Sequence, residues 1–439
     1  MQRPFALGLV VLLGGAPVAA DSCDPADFAG RWVGQATAPS EDTDVVLDVG
    51  PGGSALTAAM SLPDVGVSGW PAMSVTLDGC SVRLELPSDS GPQIMSLHLA
   101  RQVLAGTWTD SRLPEPASLT LVASKQLPQP EERILVDGPV GKLGVSILAP
   151  EGDGPFPAVV FLHGSGPQPR DASRFLALAL ARHGVAAAIF DKRGVGESEG
   201  ELAGATFQDL AADGIAVARA LLARPEISAV GFFGHSQGGW IGPMAAATWE
   251  DAAFVISSAG PAVPPSREGE WTSVRALRKA GAGEPAVTAA RRVIRLWHDG
   301  LRSGDWSAFD DAFARAKKEP WFAEAGLEWM AERPDPGFAR LYRAFMDYDP
   351  LPALRRLEAP MLAILSPDDE SIDAVETEGI LRKLAASGRD IAIRLYPGYD
   401  HTLRRLGSAG EPLRWPEHPE DYIATLAGFA RASAGALEH

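Results

Sequence analysis

One pentapeptide combines the residue types of a nucleophilic serine site, Gly234-His235-Ser236-Gln237-Gly238. Its pattern, G-x-S-x-G, lies between an apolar run at 229–233 that predicts a buried strand and a run at 239–248 that predicts a helix. The glycines allow a tight strand-to-helix turn that exposes the serine hydroxyl, and the helix N-terminus supplies N–H groups. The alternative is a glycine-lined helix start with a capping serine. The strand–turn–helix context favours Ser236 as a nucleophile.

A serine hydroxyl is a weak nucleophile near neutral pH and needs a general base. His401 ends the run Tyr396-Pro397-Gly398-Tyr399-Asp400-His401, which follows the last predicted strand at 391–395. A loop at that point can reach the carboxyl edge of a parallel sheet, where Ser236 is also expected. We therefore predict His401 as the base. Three other histidines in this half of the chain are interpreted as surface or packing residues: His183, His298 and His418.

The base needs a carboxylate that fixes its tautomer and stabilises the imidazolium. Asp368 and Asp369 follow the strand predicted at 361–365, so they are expected at the same edge of the sheet. Asp400 competes for the role, but as the chain neighbour of His401 it is poorly placed to reach the ring. The residues alone therefore predict an acid at position 368 or 369.

Acyl transfer builds negative charge on a carbonyl oxygen, and two backbone N–H groups commonly receive it. The run His163-Gly164-Ser165-Gly166-Pro167 follows another continuous apolar strand, predicted at 158–162. We assign the two donors to the N–H groups of Ser165 and Gln237, with Gly166 as the alternative to Ser165. His163 is interpreted as a structural residue that braces this loop.

Strands and helices alternate after residue 130, which predicts a mostly parallel sheet with helices on both faces. A tryptophan-rich, mainly helical stretch at 264–350 interrupts the alternation. Residues 24–125 instead show short alternating runs between turn clusters, with Gly30-Arg31-Trp32 and Gly106-Thr107-Trp108 near the two ends. This part of the chain predicts a small all-β barrel or sandwich.

Several motifs together resemble the α/β-hydrolase superfamily, specifically its branch of serine esterases and dienelactone-hydrolase-like proteins. Ser366 replaces the glycine of the family's G-x-x-D acid motif, and the acid that aligns is Asp369. The resemblance covers about residues 130–435 and implies the family fold and hydrolytic activity, but not the substrate. It is carried by the strand and loop at 154–167, the G-x-S-x-G turn, the D-x-R-G-x-G-x-S turn at 191–198 and the P-G-x-x-H ending at 397–401.

The expected organisation has four parts: an export signal at 1–20, an N-terminal all-β domain at 21–126, an α/β-hydrolase catalytic domain at 131–435 and, within it, a helical cap insertion at 264–350. A cap in this position often covers the active site of this family. Its tryptophans would then shape an acyl pocket, whereas the alternative is ordinary helix packing. They are Trp271, Trp297, Trp306, Trp321 and Trp329.

Residues 1–20 have the pattern of a cleaved export signal, with Arg3, a short apolar run and small residues before Asp21. The run is shorter than the ~20 residues that span a bilayer, and no other stretch is long enough. We therefore expect a periplasmic or secreted protein without stable membrane insertion. In that compartment Cys23 and Cys80 can form an intrachain disulfide; the alternative is two unpaired cysteines.

The 439 residues include 39 Lys and Arg against 56 Asp and Glu, a formal charge of -17 at pH 7. A field of that sign repels phosphate backbones and argues against a nucleic-acid partner. The turn Gly194-Val195-Gly196 is a weak nucleotide-binding pattern, interpreted as a tight turn. Asp368, Asp369 and Asp373 lack the nearby histidine pair or further carboxylates of a metal site. No cofactor and no metal are expected.

These observations predict a serine hydrolase that cleaves carboxylic esters of small molecules through an acyl-enzyme on Ser236, with His401 as base and Asp369 as orienting acid. An acyltransferase or a peptidase would use the same three residues. A non-catalytic binding protein, with the β domain as its working part, is a third interpretation.

Overall fold

The computed structural model describes residues 23–37, 42–52, 55–62, 67–86, 93–109, 115–123, 131–331, 333–405 and 418–435. The chain divides into two compact units. The β unit draws on residues up to 60 and from 70 to 124, and the α/β unit draws on residues from 125 onward together with 61–69. The segment predicted as an export signal lies outside the described residues.

The β unit is one sheet with the strand order β4-β3-β2-β1-β9-β8-β7-β6-β5, in which strands that follow one another along the chain are adjacent, except that β4 and β5 lie at opposite ends of the order and β1 pairs with β9 in antiparallel register. This order makes the sheet barrel-like. The short helix α1, Pro25–Phe28, precedes it. The strands are β1 Gly30–Thr37, β2 Asp42–Gly52, β3 Ala55–Leu62, β4 Val67–Pro71, β5 Ser74–Asp78, β6 Ser81–Leu86, β7 Gln93–Ala100, β8 Val103–Thr109 and β9 Ala117–Ala123.

Alternation along the strands builds the core of the β unit, because successive side chains of a strand point to opposite faces. In β6 the residues Val82, Leu84 and Leu86 are buried and the residues between them are more exposed. The two Gly-x-Trp runs lie in β1 and β8, on either side of β9, and both tryptophans are buried. A disulfide between Cys23 and Cys80, with a Cα–Cα distance of 4.9 Å, joins the start of the unit to the β5–β6 turn.

The α/β unit contains an eight-stranded sheet with the order β10-β11-β13-β12-β14-β15-β16-β17. The first two strands form an antiparallel hairpin, β11 pairs with β13 in antiparallel register, and every pair from β13 to β17 is parallel. The strands are β10 Glu131–Gly138, β11 Gly141–Leu148, β12 Phe156–Leu162, β13 Ala186–Phe190, β14 Ile227–His235, β15 Ala252–Ser258, β16 Met361–Leu365 and β17 Ile391–Leu395.

Helices cover both faces of this sheet, so its central strands are apolar on both sides. Val160 of β12 packs into the core beneath one set of helices, and its neighbours Val159 and Phe161 pack into the core on the opposite face. One face carries α3 Phe207–Leu222, α4 Gly238–Thr248, α9 Leu351–Arg356 and α10 Ala374–Ala386, and the other carries α2 Arg174–Arg182 and α11 Tyr422–Gly435.

A helical insertion separates β15 from β16 and has a hydrophobic core of its own. Trp297 is 2% exposed within that core, whereas Trp329 is 58% exposed. The architecture is that of an α/β-hydrolase with a helical insertion, preceded by an all-β unit, which confirms the predicted fold class. The inserted helices are α5 Pro265–Lys279, α6 Glu284–Ser303, α7 Ser307–Ala316 and α8 Pro336–Phe345, with a 3₁₀ turn at Glu328–Ala331.

Candidate active site

Ser236 lies in the turn between β14 and α4 and has a φ angle of 54°. Residues other than glycine rarely adopt this left-handed conformation, and the surrounding structure must hold them there. The flanking glycines allow the chain to turn this closely. A Cβ atom at Gly234 would lie 1.9 Å from the carbonyl oxygen of Gly238, and one at Gly238 would lie 2.4 Å from that of Leu162. The predicted strained turn is therefore present.

The carboxylate of Asp369 contacts the imidazole of His401. The Nδ1 atom of His401 lies 2.8 Å from Oδ2 and 3.0 Å from Oδ1 of Asp369, which is 1% exposed. Oδ1 also accepts hydrogen bonds from the N–H groups of Ser371 and Ile372, at 2.7 and 3.2 Å. A carboxylate fixed in this way favours the tautomer with the proton on Nδ1, which leaves Nε2 able to accept a proton.

Asp368 has a different environment. Its side chain is exposed, and its Oδ2 atom accepts a hydrogen bond of 2.7 Å from the N–H of Gly398. Of the two aspartates that the residues left open, the structure therefore places Asp369 on the imidazole and Asp368 on the backbone of the following loop.

The ring of His401 also lies beside the turn that carries Ser236. Its centroid is 5.0 Å from the centroid of His235, the residue that precedes the serine. Burial, together with the charge of His401, lowers the pKa of His235 to about 4, so His235 is neutral near pH 7. Residues that follow β14, β16 and β17 thus meet at the carboxyl edge of one sheet, as the motif order predicted.

The loop at 163–167 follows β12 at the same edge. Within the described part of the chain, the N–H groups of Ser165 and Gln237 donate no hydrogen bond, so both donors are available to a ligand. His163 donates from Nε2 to the carbonyl of Phe190, and burial lowers its pKa to about 4. A buried, neutral and already bonded imidazole braces the loop and is poorly suited to act as a base.

The turn after β13 is joined through buried charges to Arg170, in the segment that follows this loop. Asp191 accepts hydrogen bonds from the backbone N–H and the guanidinium of Arg170, at 2.8 and 2.6 Å. Burial opposes ionisation of Asp191, but the bonds from Arg170 outweigh it and lower the carboxyl pKa. Gly196 is required here because a Cβ atom would lie 2.4 Å from an oxygen of Asp191. The glycine-rich turn is therefore structural, as interpreted from its sequence.

Sequence reasoning missed Lys192. Its side chain is 2% exposed, and its Nζ atom donates to the carbonyls of Gly164 and Gly166 and to Oε1 of Gln237, at 2.8, 3.0 and 2.7 Å. Burial lowers the pKa of Lys192 to about 8. The available signal was a lysine two residues after a strand buried on both faces, inside the D-x-R-G motif.

Glu268, on α5 of the helical insertion, was also missed. Its Oε2 atom accepts a hydrogen bond of 2.9 Å from the N–H of Asp373, and burial raises its pKa to about 8. On the same helix, Arg275 donates to the carbonyl of Asp368 at 3.1 Å. The insertion therefore contacts the 366–373 loop on both sides of Asp369.

A cavity of about 670 Å³ lies between α5, α6 and the first turn of α10. Glu268 and Trp271 line it, whereas Ser236 and His401 do not. In the described ranges, no cluster of three or more His, Cys, Asp or Glu side chains is placed to hold a metal ion. None of the described helices combines the length and apolarity needed to cross a bilayer.

Residues 153–405 match the family described as serine aminopeptidase, S33. The chain belongs to the serine aminopeptidase S33 family. This family and the fold confirm the resemblance to α/β-hydrolases. A curated relative is the esterase EstD of Thermotoga maritima, 25% identical over 283 residues. That alignment covers 62% of this chain and 60% of the esterase, so the chain spans less than two thirds of the relative's length.

Solved structures of similar fold include other hydrolases. A proline iminopeptidase of Mycobacterium smegmatis has a TM-score of 0.45 and 18% identity, covering 70% of this chain and 100% of its own. An esterase of Pyrococcus furiosus has a TM-score of 0.45 and 15% identity over 72% and 96% of the two chains. A dienelactone hydrolase of Anabaena variabilis has a TM-score of 0.38 and 16% identity over 71% and 99%.

Proposed function

We propose that this S33 family member hydrolyses carboxylic esters of small molecules, with Ser236 as nucleophile, His401 as general base and Asp369 as orienting acid. The observation that carries the proposal is the part-buried Asp369–His401 pair beside a serine held at a φ of 54°. A strained, half-buried serine next to a carboxylate-bound imidazole is the arrangement that nucleophilic acyl transfer requires.

The first half of the reaction acylates Ser236. Its hydroxyl proton passes to Nε2 of His401 while Oγ bonds to the acyl carbon, and Asp369 stabilises the imidazolium that forms. The resulting oxyanion receives hydrogen bonds from the N–H groups of Ser165 and Gln237, with Gly166 as the alternative to Ser165. The C–O bond to the alcohol then breaks, and the alcohol oxygen takes the proton from His401.

Water completes the cycle. His401 accepts a proton from water as the hydroxide oxygen bonds to the acyl carbon, and the same N–H groups receive the second oxyanion. Cleavage of the ester to Ser236 returns the proton to Oγ and releases the carboxylic acid. The net reaction consumes one water and needs no cofactor or metal.

Esters are preferred over amides in this proposal because the curated relative is an esterase, and because alcohols are better leaving groups than amines. Peptidase activity is the second candidate, since the family that matches 153–405 is named for a serine aminopeptidase. An acyltransferase would use the same acyl-enzyme but deliver the acyl group to an alcohol or amine. The nucleophile is therefore the same in the hydrolase and the acyltransferase, and the molecule that accepts the acyl group distinguishes them.

The test compares wild type with Ser236→Ala on p-nitrophenyl esters of increasing chain length and on aminoacyl p-nitroanilides. We expect ester turnover and fluorophosphonate labelling of wild type, and loss of both in Ser236→Ala. Ser303→Ala, an exposed serine of α6, is the matched control and retains both. Faster anilide than ester cleavage would favour the peptidase, and an unlabelled, inactive wild type would favour a binding protein.

We further propose that the protein is exported to the periplasm or secreted. The export pattern at 1–20 supports this, and so does the Cys23–Cys80 disulfide, which fits an oxidising compartment. Expression of the full chain with fractionation, followed by N-terminal sequencing, tests it. A mature N-terminus near Asp21 outside the cytoplasm supports export. An intact Met1 in the cytoplasm, with two titratable thiols, contradicts it.

A further inference from the structure

Lys192 is a buried cation whose three donors are all used. Its ammonium binds two carbonyl oxygens of the 163–167 loop, those of Gly164 and Gly166, and the side-chain oxygen of Gln237. These acceptors belong to the two segments that carry the proposed oxyanion donors. One side chain thus joins the loop after β12 to the turn after β14, although Lys192 itself follows β13.

The partners of Lys192 are neutral. In the described part of the chain its side chain forms no ion pair with a carboxylate, whereas the adjacent Arg193 is paired with Asp213 at 2.7 Å. Burying an ammonium without a counterion is costly, and the lowered pKa of Lys192 reflects that cost. A neutral donor could tie the same segments together at lower cost, so the retained charge points to an electrostatic role.

The position of the charge suggests what that role is. The carbonyl of Gly164 and the N–H of Ser165 belong to one peptide group. A cation on the carbonyl oxygen polarises that group and strengthens its N–H as a donor. The bond to Gln237 fixes the side chain of the residue whose N–H is the second donor.

We propose that Lys192 is a positioning residue of the oxyanion hole, which sets the distance between its two halves and polarises the Gly164–Ser165 peptide. This role rests on the proposed function of Ser236. Lys192 acts through the backbone and does not touch the substrate. It would therefore stabilise the charged transition state and leave ground-state binding of an uncharged ester almost unchanged.

The experiment measures kcat and KM for p-nitrophenyl acetate, and the second-order rate constant of fluorophosphonate labelling. Losing one oxyanion donor outright costs about 10²–10³-fold in kcat, so the indirect effect of Lys192→Met should be about 10–100-fold. KM should change less than about threefold, because the interactions that bind the substrate and the transition state equally are retained. Lys192→Arg, which keeps the charge, should recover part of kcat.

Two further variants separate positioning from folding. Arg193→Met with Asp213→Asn neutralises the neighbouring buried ion pair without touching the 163–167 loop, and its folded fraction should keep the wild-type labelling rate. Gln237→Met removes one acceptor of Lys192 but keeps the backbone N–H, and it should lower kcat about 3–10-fold, since partial misplacement costs less than loss of a donor. If Lys192→Met does not fold, Gln237→Met tests the positioning role of Lys192.

The outcomes distinguish the inference from the function on which it rests. Wild-type kcat in Lys192→Met or Gln237→Met, or an equal loss in the Arg193 and Asp213 double variant, overturns the role of Lys192 alone. A wild type that labels but does not cleave esters overturns the ester substrate, and the labelling rates still test Lys192. A wild type that neither cleaves nor labels overturns both.

Discussion

The two units of the molecule bury different kinds of side chain. Among the described residues of the β unit, Gln93 is the one buried residue of polar type, and the other buried residues are hydrophobic. The α/β unit buries a long series of polar and charged groups. They include His163, Arg170, Asp191, Lys192, Arg193, Asp213, Gln237, Glu268 and Asp369.

This difference matters because a buried polar group destabilises a fold unless it is hydrogen-bonded, and a buried charge does so more strongly. In the α/β unit most of these groups lie in or bond to the loops at 163–167, 191–198 and 366–373, which follow strands of the sheet that carries Ser236. The β unit has no such arrangement among its described residues. This difference supports the placement of the proposed chemistry in the α/β unit, and the following predictions test that division.

The largest effect is expected for Asp369→Asn. The N–H groups of Ser371 and Ile372 hold Oδ1, so the asparagine oxygen should occupy that position and its NH₂ should face Nδ1 of His401. An NH₂ there favours the wrong imidazole tautomer, and kcat should fall by about 10⁴-fold. Steady-state kinetics on a p-nitrophenyl ester measure the loss.

Asp368→Asn is the matched control for that variant. Its carboxylate bonds to the backbone of Gly398 and not to the imidazole, so its kcat should stay within a few-fold of wild type. If the two variants exchanged these outcomes, Asp368 would be the acid.

The next effect concerns stability. Arg170→Met leaves Asp191 buried without its ion-pair partner, and the side chains of the pair are 8% and 5% exposed. Breaking such a pair costs about 3–5 kcal/mol in the free energy of unfolding of the α/β unit. Peptide-resolved hydrogen exchange reports each unit separately.

The β unit offers a matched ion pair for comparison. Arg31 and Asp48 are paired at 2.6 Å, but their side chains are 23% and 41% exposed. Water already solvates this pair, so Arg31→Met should cost less than about 1 kcal/mol. Equal losses in the two arginine variants would contradict the contrast between the units.

Removal of the disulfide should affect the β unit alone. Cys23 and Cys80 are 57 residues apart, so replacing both with serine should destabilise this unit by about 4 kcal/mol in the chain-entropy model. Hydrogen exchange of β1–β9 measures this change. The kcat/KM for esters should remain within about twofold of wild type, because the proposed chemistry involves no residue of this unit. If kcat/KM fell tenfold while the α/β unit remained well folded, the β unit would have a part in catalysis.

Local patterns in the sequence were sufficient for the nucleophile turn and for the strands around it. Ser236 follows from five adjacent residues, and the capping box at Thr206 and Asp209 marks the start of α3 in the same local way. His401 required one more step, because its position depends on the rule that parallel strands end at a common edge. The strand β4, Val67–Pro71, was not predicted, since its glycine and proline are typical of a turn.

Contacts between distant residues could not be predicted from local patterns. Lys192 and Gln237 are 45 residues apart, and Glu268 and Asp373 are 105 apart, so no periodicity relates the members of either pair. The choice between Asp368 and Asp369 had the same difficulty. Both follow the same strand, and only the folded loop determines which carboxylate faces the ring of His401.

The last comparison concerns two buried polar groups, one in each unit. Glu268 is 5% exposed, and in the described residues its Oε1 atom has no hydrogen-bond partner. Burial and the carboxylates of Asp373, Asp369 and Glu376 raise its pKa to about 8, against one bond from the N–H of Asp373 that lowers it. The folded state therefore binds this proton more tightly than the unfolded chain, whose glutamates have a pKa near 4.3.

The sign of the pH dependence follows from that raised pKa. The pH-dependent cost of Glu268 to the α/β unit is absent below about pH 4.3, and it rises by about 1.4 kcal/mol per pH unit until the folded pKa is reached. Glutamine stays neutral, so the stability of Glu268→Gln relative to wild type should rise by about 3 kcal/mol between pH 5 and pH 7.

Gln93 of the β unit is fully buried and cannot ionise, so Gln93→Leu should change the stability of its unit by the same amount at pH 5 and at pH 7. Hydrogen exchange at pH 5 and pH 7 measures the stability change that each variant causes in its own unit. A pH-independent effect of Glu268→Gln would show that Glu268 is ionised in the folded protein, and the contrast between a titrating and a neutral buried group would then be wrong.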